Sequence, residues 1–460
     1  MVDVRRVTKL LIISYNFPPI HSAGVFRATG LIPHLIERGW DVTVLTVRGS
    51  SVEPSDDGLL ALIPPQTTVL RTPCPEFARV AHRLAQIRPT GHTSAGAGDP
   101  TTGKPAPVMR NTRGNARSGR HGRLRRVAAA VSACLTFPDQ AVGWFIPLLW
   151  RTSRLLSRDV EHVITSSPPH STHLPILILR CIFRFRWVVD FRDPWTAPRR
   201  VKAGRLRLPV HRMLEALVLR RADEIVANTE GNRKILLDSF RFLDPERVHV
   251  ITNGFDPGRV RDLADERRGA SPPAHPDADL VYIGSVYPGM MKILIAALCV
   301  LRDRGQRLPR ITVYGTFETE DERARIAGAG LEDQIVYCGR VSYTESIRVM
   351  YTAPALLLLL PHTERYAHCV PSKLYPYLFA RRPVLAVIPD GDAADLLRRF
   401  GRGRVVTDSA ADAVADAVDV FLSGDVASEA PRNTDLHRFT MDALAGQFDG
   451  LLRGHEKGLP

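Results

Sequence analysis

The sequence predicts an α/β protein made of two doubly wound, Rossmann-like domains that face each other across a cleft. Short β-rich apolar runs alternate with amphipathic stretches along the whole chain, the pattern of βαβ units and mainly parallel sheets. The alternation lapses in a polar stretch at 259–277, which contains Pro272, Pro273 and Pro276, and then restarts. The length of 460 residues suits two to three domains.

In the first domain, 1–258, the apolar runs at 9–14, 41–46, 67–72, 162–166, 187–191, 224–228 and 247–251 predict strands. Helical patterns lie between them, clearest at 25–38 and 206–221. The stretch 88–123 interrupts this order. It is rich in Gly, Ser, Thr, Pro and Arg, lacks large apolar residues, and predicts a flexible basic insertion. From Arg79 to Arg126 there are eleven Lys or Arg against one acidic residue, which fits a solvated linker or contact with anionic lipid or polymer. No aromatic residues interleave with the arginines to stack bases, so nucleic acid is not expected as a partner.

In the second domain, 279–430, strands are predicted at 279–284, 310–315, 334–338, 355–360, 383–388 and 403–406. Helices fit 290–304, 321–329, 343–351, 372–380, 392–400 and 410–422. A last helix at about 435–452, within 431–460, follows the loop containing Pro431. Two such domains leave a cleft at the carboxyl ends of their strands, where open α/β sheets bind ligands.

Composition narrows the function classes. The chain is 44% apolar and 24% charged, as in globular proteins, and its net charge of +14 favours anionic partners. Its six cysteines form no CxxC pair and no zinc spacing, which speaks for ordinary thiols in a reducing compartment. No signal peptide is evident, and the best apolar runs, 142–150 and 353–361, are far short of the roughly 20 residues that span a bilayer. These features predict a cytoplasmic protein, soluble or peripheral at an anionic membrane face.

Three loops carry candidate chemistry. The first, Ser14 to Gly24, runs from a strand into a helix N-terminus, an arrangement that suits anions; Gly24 lets backbone approach a ligand closely, and a plain tight turn fits equally well. The second site combines Thr165 to His173 with Val189 to Trp195, each just past a strand's carboxyl end. There His170 and Asp193 can bind sugar hydroxyls, orient an acceptor or act as a base, whereas each alone can simply cap a turn. The third, Pro361 to Tyr375, opens a helix with Pro371, Ser372 and Lys373. Free N–H groups, the helix dipole and the lysine together suit a diphosphate.

Phe17–Pro19 with Gly24, then SSPPHSTH at 166–173, DFRDPW at 190–195, NGFDP at 253–257 and PSKLYPYL at 371–378 occur in that order. On these motifs the chain resembles family 4-like glycosyltransferases of the GT-B fold over everything but the basic insertion. The resemblance implies retaining, metal-independent transfer from a nucleoside-diphosphate sugar, with no cofactor. The donor would lie on the second domain and the acceptor, a glycan, lipid-linked molecule or metabolite, on the first. By the same resemblance Ser372 and Lys373 hold the diphosphate, Lys292 adds a charge, backbone near Val341 contacts the base, and His170 touches the donor sugar. The last helix would cross back onto the first domain.

Many relatives carry two glutamates eight positions apart. These fall on His368 and Pro376, and an arginine after the second domain's first strand falls on Ser285. His368 thus becomes a candidate catalytic position and Ser285 a donor-binding one. The same departures support the alternative of a degenerate GT-B binding or regulatory protein that keeps the fold and nucleotide binding.

Overall fold

The computed structural model describes residues 8–49, 55–75, 136–196, 207–258, 277–317, 319–401, 403–424 and 435–454. The predicted insertion at 88–123 and all but the last residue of the linker at 259–277 lie outside the described residues.

The first sheet contains β1 (Thr8–Ser14), β2 (Trp40–Val47), β3 (Thr68–Thr72), β4 (His162–Ser167), β5 (Arg186–Phe191), β6 (Glu224–Ala227) and β7 (Val248–Val250), in the order β3-β2-β1-β4-β5-β6-β7. The second contains β8 (Leu280–Ile283), β9 (Ile311–Tyr314), β10 (Ile335–Gly339), β11 (Leu356–Leu359), β12 (Val384–Val387) and β13 (Gly403–Val406), ordered β10-β9-β8-β11-β12-β13. Every pairing between these strands is parallel. Strand order reverses between β1 and β4 and again between β8 and β11, giving each sheet one switch point. The central strands form because both their faces are covered: β11 is four consecutive leucines, each at most 1% exposed.

The helices in the first half are α1 (Val25–Glu37), α2 (Phe145–Leu156), α3 (His173–Leu179), α4 (Leu208–Arg221) and α5 (Glu230–Ser239). In the second half they are α6 (Lys292–Asp303), α7 (Glu320–Gly328), α8 (Tyr343–Thr352), the single turn α9 (Glu364–Ala367), α10 (Leu374–Ala380), α11 (Asp392–Phe400), α12 (Ala411–Leu422) and α13 (Met441–Arg453). One face of the first sheet buries Trp144, Trp187 and Trp195 beneath α2, α3 and α4. The other is covered by α1 and by α13, which has crossed back from the far end of the chain.

That return is fastened along its length. Arg38 pairs with Asp442 at 2.7 Å, Trp40 Nε1 donates to Asp449 Oδ1 at 2.6 Å, and Phe448 is fully buried. Gly30 lets α1 and α13 touch, since a Cβ there would lie 2.7 Å from Met441 Sδ. The last helix starts later than the expected 435. A 3-10 turn at His437–Phe439 comes first, and Phe255 N–H donates to Phe439 O at 2.9 Å and Met441 N–H to Phe255 O at 3.2 Å, pinning the chain there until the Thr440 hydroxyl caps α13.

Candidate active site

β1, β4 and β5 are neighbours in the middle of the first sheet, so the loops that follow them emerge side by side. Asn16 Nδ2 donates to Pro168 O at 3.1 Å and Arg192 Nε to Ser167 O at 3.0 Å, which knits the three predicted loop segments together. Gly24 has a role the sequence did not reveal. A Cβ at this position would sit 2.5 Å from Arg192 Nη1, so glycine admits the Arg192 guanidinium against the start of α1. Beneath the loops, Asp190 accepts a bidentate pair of hydrogen bonds from Arg27 at 2.9 and 2.8 Å, plus one from Ser166 Oγ at 2.9 Å. Arg27 also donates to Ile251 O and Thr252 O. Both partners are buried, so this pair fastens α1, β5 and the segment after β7 together.

His170 begins a one-turn 3-10 helix, His170–Thr172, directly after β4. Its ring lies parallel to Trp195 at 5.2 Å between centroids, with Phe191 at 5.7 Å. The turn is held by Asp139, which accepts from Ser171 N at 2.8 Å and Ser171 Oγ at 2.6 Å. Burial raises the Asp139 pKa. Trp195 in turn is clamped from α4. Its N–H donates to Glu215 Oε1 at 2.9 Å, its indole N–H donates to His211 Nδ1 at 3.1 Å, and Thr196 N–H donates to Glu215 Oε2 at 3.0 Å. Glu215 is fully buried, and burial raises its pKa. Asp193 stands partly exposed beside Arg192. Burial lowers the Arg192 pKa, while the charges of Asp190 and Asp193 oppose that shift. His173, though part of the same motif, belongs to the core: it is fully buried beside Thr165 Oγ1 at 2.8 Å, and burial lowers its pKa to about 3.

In the second domain Lys373 precedes α10, with its ammonium 3.7 Å from the centroid of the Tyr282 ring. Gly284, with φ of +124°, ends β8 alongside it; a Cβ there would be 3.4 Å from Lys373 Nζ. No carboxylate pairs with this ammonium among the described residues, and burial lowers its pKa to about 7. Ser285 is tied to Thr316 Oγ1 at 3.0 Å and its carbonyl accepts from Tyr282 O–H at 2.7 Å, so it shapes the same wall. Ser372 adjoins Lys373, and Val341 follows β10, partly buried against the domain core. Pro376 is the third residue of α10 and is buried; its missing N–H falls in the first turn, where no intrahelical partner is lost. The structure places Lys292 apart from this group. Exposed at the start of α6, it lines an open cavity of about 390 Å³ with Cys299, Arg302 and Arg325 on the outer flank. Just before α6 the buried Glu322 carboxylate accepts from Gly289 N–H at 2.7 Å and from the N-cap Met291 N–H at 3.2 Å.

The two walls meet along their carboxyl edges. Phe26 stacks on Tyr343 at 4.3 Å and Arg340 bonds His21 at one side. At the other, Thr229 Oγ1 donates to His368 O at 3.2 Å and Gly231 N–H to Asp392 Oδ1 at 3.1 Å, while Asp392 Oδ2 holds His368 Nδ1 at 3.0 Å. His368 is therefore engaged in the seam between domains. Among the described residues one set has metal-ligand spacing, His34, Glu37 and Asp442, and it lies on the outer surface of α1 and α13, where Arg38 already pairs with Asp442.

Solved structures share this architecture. Similar ones include HepE from Anabaena in complex with UDP-glucose (14% identity, TM-score 0.59, covering 97% of this chain and 99% of that one). Another is the UDP-forming α,α-trehalose-phosphate synthase from Burkholderia xenovorans in complex with glucose-6-phosphate (14%, 0.61, 97% and 100%). A third is sucrose-phosphate synthase from Thermosynechococcus elongatus (16%, 0.58, 97% and 98%). At these identities they establish the GT-B fold. No curated protein matches the chain. The glycosyl transferase 4-like domain matches residues 24–254, from the glycine beside Arg192 to the segment that Arg27 grips. With half the chain matched, this protein belongs to the glycosyl transferase 4-like family of glycosyltransferases.

Proposed function

We propose that this glycosyltransferase moves a sugar from a nucleoside-diphosphate donor held on the second domain to an acceptor on the first. Lys373 carries the reading: a partly buried ammonium, held over an aromatic ring and facing no carboxylate among the described residues, is a site for an anionic ligand. A diphosphate leaving group builds negative charge as the glycosyl bond breaks, and a cation already in place stabilises that charge. Ser372 and Ser285 would offer hydroxyls beside it, and Val341 would border the base. His170, fixed by Trp195, would meet the donor sugar from the first domain, with Asp193 and Arg192 beside it. The family resemblance supports retention of configuration and transfer without a metal or cofactor. The acceptor would be a glycan, a lipid-linked molecule or a metabolite. The net charge of +14 favours anionic partners, an anionic membrane face included.

A second reading, a binding protein that keeps nucleotide but not catalysis, draws on Pro376 and His368. Both positions where relatives carry glutamates are used here for packing and for the interdomain seam. Thermal unfolding against a panel of nucleoside diphosphates, beginning with UDP, tests the donor site. A diphosphate at about 100 Kd should add roughly 2.7 kcal/mol of stability, and its bare nucleoside much less. Equal effects of every diphosphate and its nucleoside would contradict the proposal.

A further inference from the structure

Among the described residues, no element of the first domain covers one of its apolar faces. α2 packs on α3 and α3 on α4 in a single layer, all burying one side in the core around Trp144 and Trp187. Their outer sides therefore point the same way. Among the described residues, eight of the twelve exposed large hydrophobics lie on this layer, and only Tyr287 and Tyr337 lie in the second domain. They fall at helical spacing: Ile146 and Trp150 on α2, Ile178 and Ile182 on α3 and the turn after it, Met213 and Leu217 on α4. Ile182 is 69% exposed, Ile146 66%, Met213 55% and Trp150 51%. Large apolar side chains gathered on one exposed layer mark an interaction surface.

Charge identifies that occupant. Residues 145–158, 173–184 and 207–221 contain nine arginines, no lysine and one carboxylate. The carboxylate is Glu215, which is buried under Trp195. Arg154, Arg158, Arg184, Arg212, Arg220 and Arg221 are all exposed around the apolar stripe. The Arg154 guanidinium carbon lies over the Trp150 ring at 3.9 Å, a cation–π contact that sets a positive charge directly on the apolar stripe. A second copy of this chain would bring arginine against arginine. A bilayer with anionic headgroups offers instead an apolar layer under a negative surface, with tryptophan suited to the boundary between them.

We infer that the outer layer formed by α2, α3 and α4 docks on an anionic lipid bilayer, with Ile146, Trp150, Ile182 and Met213 entering the headgroup boundary and the arginines engaging the phosphates. The inference rests on the anionic-partner reading and not on the donor chemistry, and it places the site built on Trp195 and His170 over α4, next to the lipid.

Flotation of the full chain with vesicles tests it, with no donor or acceptor present. Vesicles containing phosphatidylglycerol should carry the protein up, neutral phosphatidylcholine vesicles should not, and 0.5 M salt should weaken the association. The triple variant Trp150→Ser, Ile182→Ser, Met213→Ser changes only exposed side chains and should bind at least tenfold more weakly with an unaltered melting temperature. Tyr337→Ser, in the second domain, should bind as the parent does. Absence of flotation, or flotation that the triple variant leaves intact, would overturn the inference. So would a concentration-dependent dimer of the parent that the triple variant abolishes, since the occupant would then be a second copy. Nucleotide binding by the same samples reports separately on the donor site, so failure of one reading is distinguishable from failure of the other.

Discussion

Lys373 is an ammonium that folding alone does not favour. Burial takes its pKa from the ordinary lysine range to about 7. The unfolded chain then holds the proton more tightly than the folded one. The resulting penalty is full below about pH 7 and is relieved as pH rises towards the unfolded value. Lys373→Met should therefore stabilise the ligand-free protein at neutral pH, by on the order of 1–3 kcal/mol, read as a higher Tm. The same variant should bind nucleoside diphosphate about 1.5–3 kcal/mol more weakly in calorimetry and bare nucleoside unchanged. Binding must refill the proton, so diphosphate affinity in the parent should be greatest below pH 7 and fall as pH climbs through 8 and 9. A destabilised Lys373→Met, or an affinity that does not change with pH, would assign the lysine to structure. The motif that opens with Pro371 made this residue legible in the sequence. The partners of Arg192 and Glu215 were not legible there, because they come from segments about twenty residues away or more.

At the scale of elements, the strands were the most legible part, since a parallel strand buried on both faces is written as an unbroken apolar run. Every predicted strand is present, with its ends moved by a residue or two: the one expected at 187–191 spans Arg186–Phe191. Helices α2, α3 and α5 were harder to see. α2 opens with Phe145, Ile146 and Pro147 inside the continuous apolar run 142–150, which masks the helix start although its buried Leu148, Thr152 and Leu156 recur at helical spacing. α5 is largely polar and is marked only by its Thr229 cap on Asn232 N–H at 3.0 Å. α4 links surface to site, because its buried side holds Trp195 and so the ring against His170. Glu215→Ala would leave Trp195 N–H and Thr196 N–H without their acceptor. It should cost about 1–3 kcal/mol in stability and shift tryptophan fluorescence. A folded variant with unchanged stability and emission would remove α4 from the account of the site.

For the whole molecule, function depends on how the two walls are brought together. Gly231 lies where the first domain meets His368 and Asp392, and any Cβ there would collide with both side chains. Gly231→Ala should part this edge, raise the radius of gyration in small-angle scattering and lower turnover at least tenfold, while each sheet keeps its own core. An unchanged radius with full activity would show that closure does not depend on this contact. The seam was illegible in the sequence, since Gly231 and Asp392 are 161 residues apart and neither belongs to a recognised motif. Acceptor-free consumption of nucleoside-diphosphate sugars tests the central claim most directly, followed as release of free sugar and nucleoside diphosphate across a donor panel. The account predicts slow release from at least one donor by the parent protein, and at least a hundredfold less from His170→Ala and from Lys373→Met. Tight binding of a donor with no release by the parent would contradict it and make the protein a binder built on a glycosyltransferase fold.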